Sequence, residues 1–204
     1  EDQEKHTQEY IDRMYEVEYL RFYRDGMTDF DLSEANIPKY LRRVTREDIS
    51  PDHVDFIANY VRSWKTTEPS KEETKGLIMY GDNDTCMRYM TVLLKRIYRR
   101  KRSIYYSTVY ELESDFKDRY RYLELASIDC LGVSGFPYFI YGLPAANSFT
   151  LSLFHNLMLL RRSKGNPTIF VSRISTAEVI ELYKIFPEDV QENILGFTES
   201  VKIG

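Results

Sequence analysis

An α/β domain, with a parallel sheet layered between helices, is the fold class this sequence predicts, and three observations predict it. Short apolar runs recur between residues 77 and 203 without the strict alternation of a half-solvated strand, as strands covered on both faces do. Helical periodicity fills most of the intervals between those runs. The 204 residues, 43% hydrophobic and 29% charged, suffice for a packed core under an ordinary polar surface.

In chain order, residues 8–25 predict an amphipathic helix. Tyr10, Met14 and Val17, with Ile11, Tyr15, Tyr19 and Phe22, recur at helical spacing, and Gly26 stands where the helix would end. Residues 1–34 therefore read as an N-terminal helix and linker, packed on the main domain or docked on a partner, and 35–204 as the domain proper. Pro38 marks a turn, and Pro51 opens a second helix running to Trp64. "KTTEPSKEETKG" (65–76) is a polar linker. Five strands are expected at "LIMY" (77–80), "SIYYSTV" (103–109), "YLELASI" (122–128), "TIFVS" (168–172) and "SVKI" (200–203). "YMTVLLKRIYRR" (89–100) reads as the helix after the first strand, leaving "GDNDTCMR" (81–88) as a loop that opens on Gly81.

Composition excludes several function classes. A net charge of -4 gives no global pull toward nucleic acid, so such a contact needs a local patch. Two cysteines make no disulfide framework and fit a reducing, cytoplasmic compartment. Val133 to Leu160 carries no Asp, Glu, Lys or Arg, yet Gly135, Pro137, Gly142 and Pro144 interrupt it. It reads as a loop and a buried helix, with no membrane partner. His6, His53 and His155 make no ligand or triad spacing, so no metal site is expected.

Strand, Gly-initiated loop and helix are the setting of a phosphate-binding loop, which needs glycines, a Lys for the phosphates and a Ser or Thr for magnesium. From about Ala35 onward, "IPKYLRRVTREDI", "GLIMYGDNDTC", "SIYYSTVYEL", "LASIDCLG" and "NPTIFVSRIS" together resemble the helicase-loader ATPases of the DnaC, DnaI and IstB group. The resemblance implies a three-layer P-loop NTPase domain, AAA+-like, with a parallel five-stranded sheet preceded by N-terminal helices. It also implies a vestigial nucleotide site at Gly81, Asp82, Asn83, Thr85, Met87, Arg88, Asp129 and Arg173. Against the family's G-x-x-G-x-G-K-[ST], Gly81 is kept. Asp84 and Cys86 replace glycines, Met87 the Lys and Arg88 the hydroxyl. Asp129 matches the magnesium-holding acid, Cys130 replaces the water-activating acid, Arg173 takes the place of the sensing Asn, and Asn193 that of an Arg. A unit charge pair at ~4 Å is worth roughly 4 kcal/mol at an effective dielectric of 20, so losing the Lys and gaining an acid weakens triphosphate binding by orders of magnitude. Arg88 has no acceptor with which to hold magnesium.

The expectation is a pseudo-ATPase: no catalytic residues, no ATP or magnesium cofactor, and action through contacts with a replicative helicase or its loader. A weak ATPase using Arg88 or Arg173 is the enzyme alternative. "KRIYRRKR" offers a third reading, single-stranded DNA bound by Lys95, Arg96, Arg99, Arg100, Lys101 and Arg102, against a solvated helix end whose cations complement the dipole. The family's DNA-gripping insertion between the second and third strands looks trimmed here. Cys86 and Cys130 are expected to face each other across the pocket, as space-filling residues or a redox pair. "GFPYFIYGLPAANSF" (135–149) is an uncharged aromatic loop, for an interface or for burial.

Overall fold

The computed structural model describes residues 27–63, 75–137, 148–183, 188, 192 and 198–203. The expected helix at 8–25, linker residues 65–74, loop residues 138–147 and Asn193 lie outside them.

Helix α1 (Asp29–Glu34) is closed by a capping box in which Thr28 and Asp31 satisfy each other's backbone N–H groups. Two 3-10 turns, Lys39–Leu41 and Arg46–Asp48, lead to α2 (Pro51–Ser63). Then come β1 (Gly76–Gly81), α3 (Asn83–Tyr98), β2 (Ile104–Thr108), α4 (Val109–Asp115), α5 (Arg119–Ser127), β3 (Cys130–Phe136), α6 (Ser148–Ser163), β4 (Thr168–Ser172), α7 (Thr176–Tyr183) and β5 (Thr198–Ile203). All pairings are parallel, in the order β2-β3-β4-β1-β5.

The inner strands β1, β3 and β4 are buried on both faces, as apolar runs predict, whereas the edge strand β5 exposes Glu199, Ser200 and Lys202. Leu77 and Met79 of β1 join Ile169, Val171 and Cys130 in a core under α2, α3 and the segment from Met27. Ile78, Leu131, Val133 and Phe170 face the opposite way, against α4 to α7. Met27 and Leu32 belong to the first of these cores, so the packed unit begins no later than Met27. Gly132 explains the close approach of α3 to β3: a Cβ there would lie 2.9 Å from the Met90 sulfur and 3.0 Å from a Leu94 methyl.

Two sequence expectations are corrected. "YLELASI" (122–128) is mostly helix, not strand, and the third strand is "CLGVSGF" at Cys130–Phe136. Asp118 caps the helix by accepting from the Tyr120 and Arg121 N–H groups, and Leu125 and Ala126 form its buried stripe. The span between β2 and β3 consequently carries two helices, α4 and α5. The expected loop 81–88 is also absent: α3 begins at Asn83.

The amino-terminal edge of the sheet is held by a buried cation. Arg161, 1% exposed, donates to the carbonyls of Leu125, Ile128 and Pro167 and to the Thr168 hydroxyl. It ties α5, α6 and β4 together, and burial lowers its pKa to about 10.

Candidate functional site

In an open parallel sheet, ligands settle outside the carboxyl ends of the strands, where successive connections leave to opposite faces. Here that point lies between β1, which connects across one face through α3, and β4, whose preceding connection α6 covers the other. The residues at this edge are Gly81 ending β1 with Asp82 after it, Ser134 and Gly135 late in β3, and Ser172 ending β4 with Arg173 after it.

The β1–α3 turn consists of one residue, Asp82. Its carboxylate accepts from the Thr85 N–H at 2.9 Å and from the Thr85 hydroxyl at 2.7 Å. These two bonds, the hydroxyl's first, hold the Asp82 carboxyl below the usual carboxylate range, with the Arg88 charge assisting. A negative group of the chain itself thus caps the helix N-terminus, the place an anionic ligand takes in phosphate-binding loops. Gly81 has φ 137°, and a Cβ there would stand 2.0 Å from the Ile203 carbonyl oxygen. The glycine serves the close approach of β1 and β5.

Starting the helix at Asn83 reassigns the other expected positions. Met87 is 3% exposed and part of the core, so a longer cation there would point into packed side chains. Arg88 and Asp84 form an (i, i+4) ion pair at 2.9 Å on the outer face of α3. Asn83 and Thr85 lie in the first turn, and Arg173 is exposed at the same sheet edge. The structure therefore brings together Gly81, Asp82, Asn83, Thr85, Arg88 and Arg173.

Asp129 is not with them. It precedes β3, whose Cys130 registers with Ile104 at the start of β2, and so stands at the opposite edge. There it accepts from the Ser103 N–H at 2.8 Å and hydroxyl at 2.9 Å, and pairs with Arg102 at 3.6 Å. The carboxyl end of β3 carries Ser134 and Gly135, not the expected Asp129 and Cys130. Ser134 is hydrogen-bonded to the buried Tyr106 hydroxyl at 2.7 Å, and burial pushes that phenol up to about 12. Sequence reasoning missed these two residues; the run "LGVSG" after Cys130 was the available signal.

The cysteines do not face each other. Cys86 lies in the first turn of α3, whereas Cys130 opens β3 at the far edge, beyond Gly132 and its neighbours Met90 and Leu94. Both are buried free thiols; burial raises Cys86 to about 11 and Cys130 to about 12. Neither offers a thiolate for exchange at neutral pH. Among the described residues no group of three or more His, Cys, Asp or Glu could hold a metal ion, and no helix is long and apolar enough to cross a membrane.

The basic run divides as well. Lys95 is 5% exposed and donates to the Arg42 and Val44 carbonyls at 2.7 and 2.8 Å, so it is a tether for the N-terminal segment and not a DNA contact. Arg99 and Lys101 are exposed, and Arg96, Arg100 and Arg102 are partly so.

No protein-family model matches the chain, and no curated protein matches it by sequence. Solved structures do. A candidate primosome component from Streptococcus pyogenes serotype M3 superposes with TM-score 0.64 at 17% identity, covering 87% of this chain and 97% of that one. The DnaC helicase loader gives TM-score 0.63 at 18% identity, with coverage of 82% and 100%. The replication initiator DnaA, bound to AMPPCP and single-stranded DNA, gives TM-score 0.59 at 11% identity, covering 80% of this chain and 51% of that one. The fold, a parallel five-stranded sheet between helices, matches that of these neighbours.

Proposed function

We propose that this chain is a helicase-loader-like accessory of DNA replication that acts through protein contacts, on a replicative helicase or its loader, without binding or hydrolysing ATP. One observation carries the reading: the β1–α3 turn is a single residue whose own carboxylate caps the helix N-terminus. Backbone N–H groups that would cradle phosphates need a longer, glycine-bearing loop. A triphosphate approaching here meets the charge of Asp82 and finds no Lys on the first turn of α3. The acids that would hold magnesium and activate water are absent from β3, whose sequence is CLGVSGF. Similarity to a helicase loader over the whole of its length supports the replication setting.

Under this reading the protein occupies a loader's place on the helicase, to assist or to block loading, and its contacts do not cycle with nucleotide. The test is capture of the replicative helicase and its loader by the immobilised chain, with and without ATP and magnesium. Equal retention of either partner in both conditions is the expected result. Capture of neither, or capture that requires ATP, would refute the proposal.

A further inference from the structure

Helices α5 and α6 run parallel over the second core. The Tyr122 hydroxyl donates to the Leu153 carbonyl at 3.3 Å, and Lys164 donates to the Ser127 hydroxyl at 3.2 Å near the helix ends. Leu123 stands one turn before Ser127, and Leu160 one turn before Lys164, so these two leucines flank one seam, with Tyr120 on the same stripe as Leu123. All three face solvent: Tyr120 is 86% exposed, Leu123 49% and Leu160 38%. The two helices fill the core with other residues, Leu125 and Ala126 from α5 and Phe154 and Leu157 from α6. Charge along the seam is uneven. Arg121 engages Asp115 and Glu124, and the Asp118 carboxylate caps α5, while Lys117 and Arg119 are exposed cations at the start of that helix.

We infer that the chain's own residues 8–25 dock on this seam as an amphipathic helix. Ile11, Tyr15, Tyr19 and Phe22, spaced in the sequence for one helix face, supply the apolar surface that Tyr120, Leu123 and Leu160 lack. The point of attachment fits. Met27 is buried in the first core, and Asp31, one turn on, is hydrogen-bonded to Tyr98 at the end of α3, so the segment joins the fold at the amino-terminal edge of the sheet. It joins beside β2, the outermost strand, whose Tyr106 N–H donates to the Ala35 carbonyl. Helix α5 covers that same strand, with Arg121 stacked 4.2 Å over the Tyr105 ring, so the segment has one strand edge to cross. Eighteen helical residues span about 27 Å, enough to run from the end of α5 back along the seam to its start. Charge fixes the direction: residues 1–18 hold seven acids against Lys5 and Arg13, and this path lays them beside Lys117 and Arg119. Tethering at Met27 gives the segment an effective concentration that a free partner lacks. The site shares no residue with the β1–α3 turn and stands apart from the nucleotide reading.

The test is thiol labelling of the intact chain with N-ethylmaleimide, read site by site by peptide mass spectrometry. Leu123→Cys should react about tenfold slower than Ile180→Cys, a comparably exposed position on α7, which connects β4 to β5 at the far side of the sheet from β2. Adding Ile11→Asp with Tyr15→Asp, which removes the apolar face of the segment, should bring Leu123→Cys to within about twofold of Ile180→Cys. The buried Cys86 and Cys130, unlabelled throughout, report in the same samples that the fold is intact. A second measurement needs no disruptive change: with Tyr15→Cys and Leu123→Cys together, a bismaleimide should link the two positions within one chain. Equal labelling of Leu123→Cys and Ile180→Cys would overturn the inference, as would a Leu123→Cys rate that the two Asp substitutions leave unmoved. A bismaleimide link found only between two chains, the mark of a second copy on the seam, would also overturn it.

Discussion

The Asp82 carboxylate accepts two hydrogen bonds from Thr85, at 2.9 Å from its N–H and 2.7 Å from its hydroxyl, and this closes the β1–α3 turn with the chain's own negative charge. The arrangement turns a ligand-binding corner into a helix cap. If so, Asp82 is a stability residue. Asp82→Ala should lower the urea midpoint of unfolding, and Asp82→Asn should retain most of the parent's stability, because Asn caps as well as Asp. Equal stability of the Ala variant would show that the cap contributes nothing.

The same bonds give a pH dependence. Asp82, Asp31 and Glu178 are all held below their ordinary values, in each case first by a hydrogen bond from a neighbouring Thr or Ser. A carboxylate depressed in the fold binds fewer protons there than in the unfolded chain, so its stabilisation is present above the unfolded pKa, about 4, and lost as pH falls through the folded one. Chemical unfolding followed between pH 6 and pH 3 should show stability falling with acid, less steeply in Asp82→Ala. A flat profile across that range would contradict the assignment.

Gly81 is expected to be intolerant of any side chain. Its φ of 137° and the Ile203 carbonyl at 2.0 Å from an added Cβ leave no room for relaxation that keeps β1 and β5 paired. Gly81→Ala should cost about 2 kcal/mol or more. Gly132→Ala meets the end of the flexible Met90 side chain at 2.9 Å, and should cost less. Thermal melts of the two variants rank them directly, and the reverse order would refute the packing account.

These cases show what the sequence made legible. The apolar runs at 77–80 and 168–172 announce buried parallel strands because nothing polar interrupts them, and β1 and β4 lie where they fall. The resemblance of short motifs to helicase loaders pointed to the fold found. "YLELASI" misled because it is a short, largely apolar run like the true strands, while the cap that makes it a helix is Asp118, four residues upstream of the run. The true strand, CLGVSGF, has low strand propensity and is held as one by β2 and β4 on its two sides and by Gly132 fitting under α3. That displacement moved Asp129 to the wrong end of the sheet. The helix start at Asn83 was hidden for a similar reason: Gly-Asp-Asn-Asp reads as a loop until the Asp82–Thr85 bonds are seen.

Arg161 should be the costliest charged residue to remove. Arg161→Met leaves the carbonyls of Leu125, Ile128 and Pro167 without the donor they share, in a site closed to water. A loss of about 3–5 kcal/mol is expected, read from urea unfolding. A loss below about 1 kcal/mol would show that those carbonyls find other partners.

The two cysteines should be silent in the folded protein. Both are buried, with thiols raised to about 11 and about 12. Ellman's reagent at pH 8 should label neither within the time that labels both after denaturation. Rapid labelling of the native protein would reopen the redox reading.

The central claim, a nucleotide corner closed by its own carboxylate, is tested most directly by titration calorimetry of the intact chain with ATP and magnesium. The account predicts no heat of binding up to millimolar nucleotide. A dissociation constant in the micromolar range, weakened by substitution of Arg173, would contradict it.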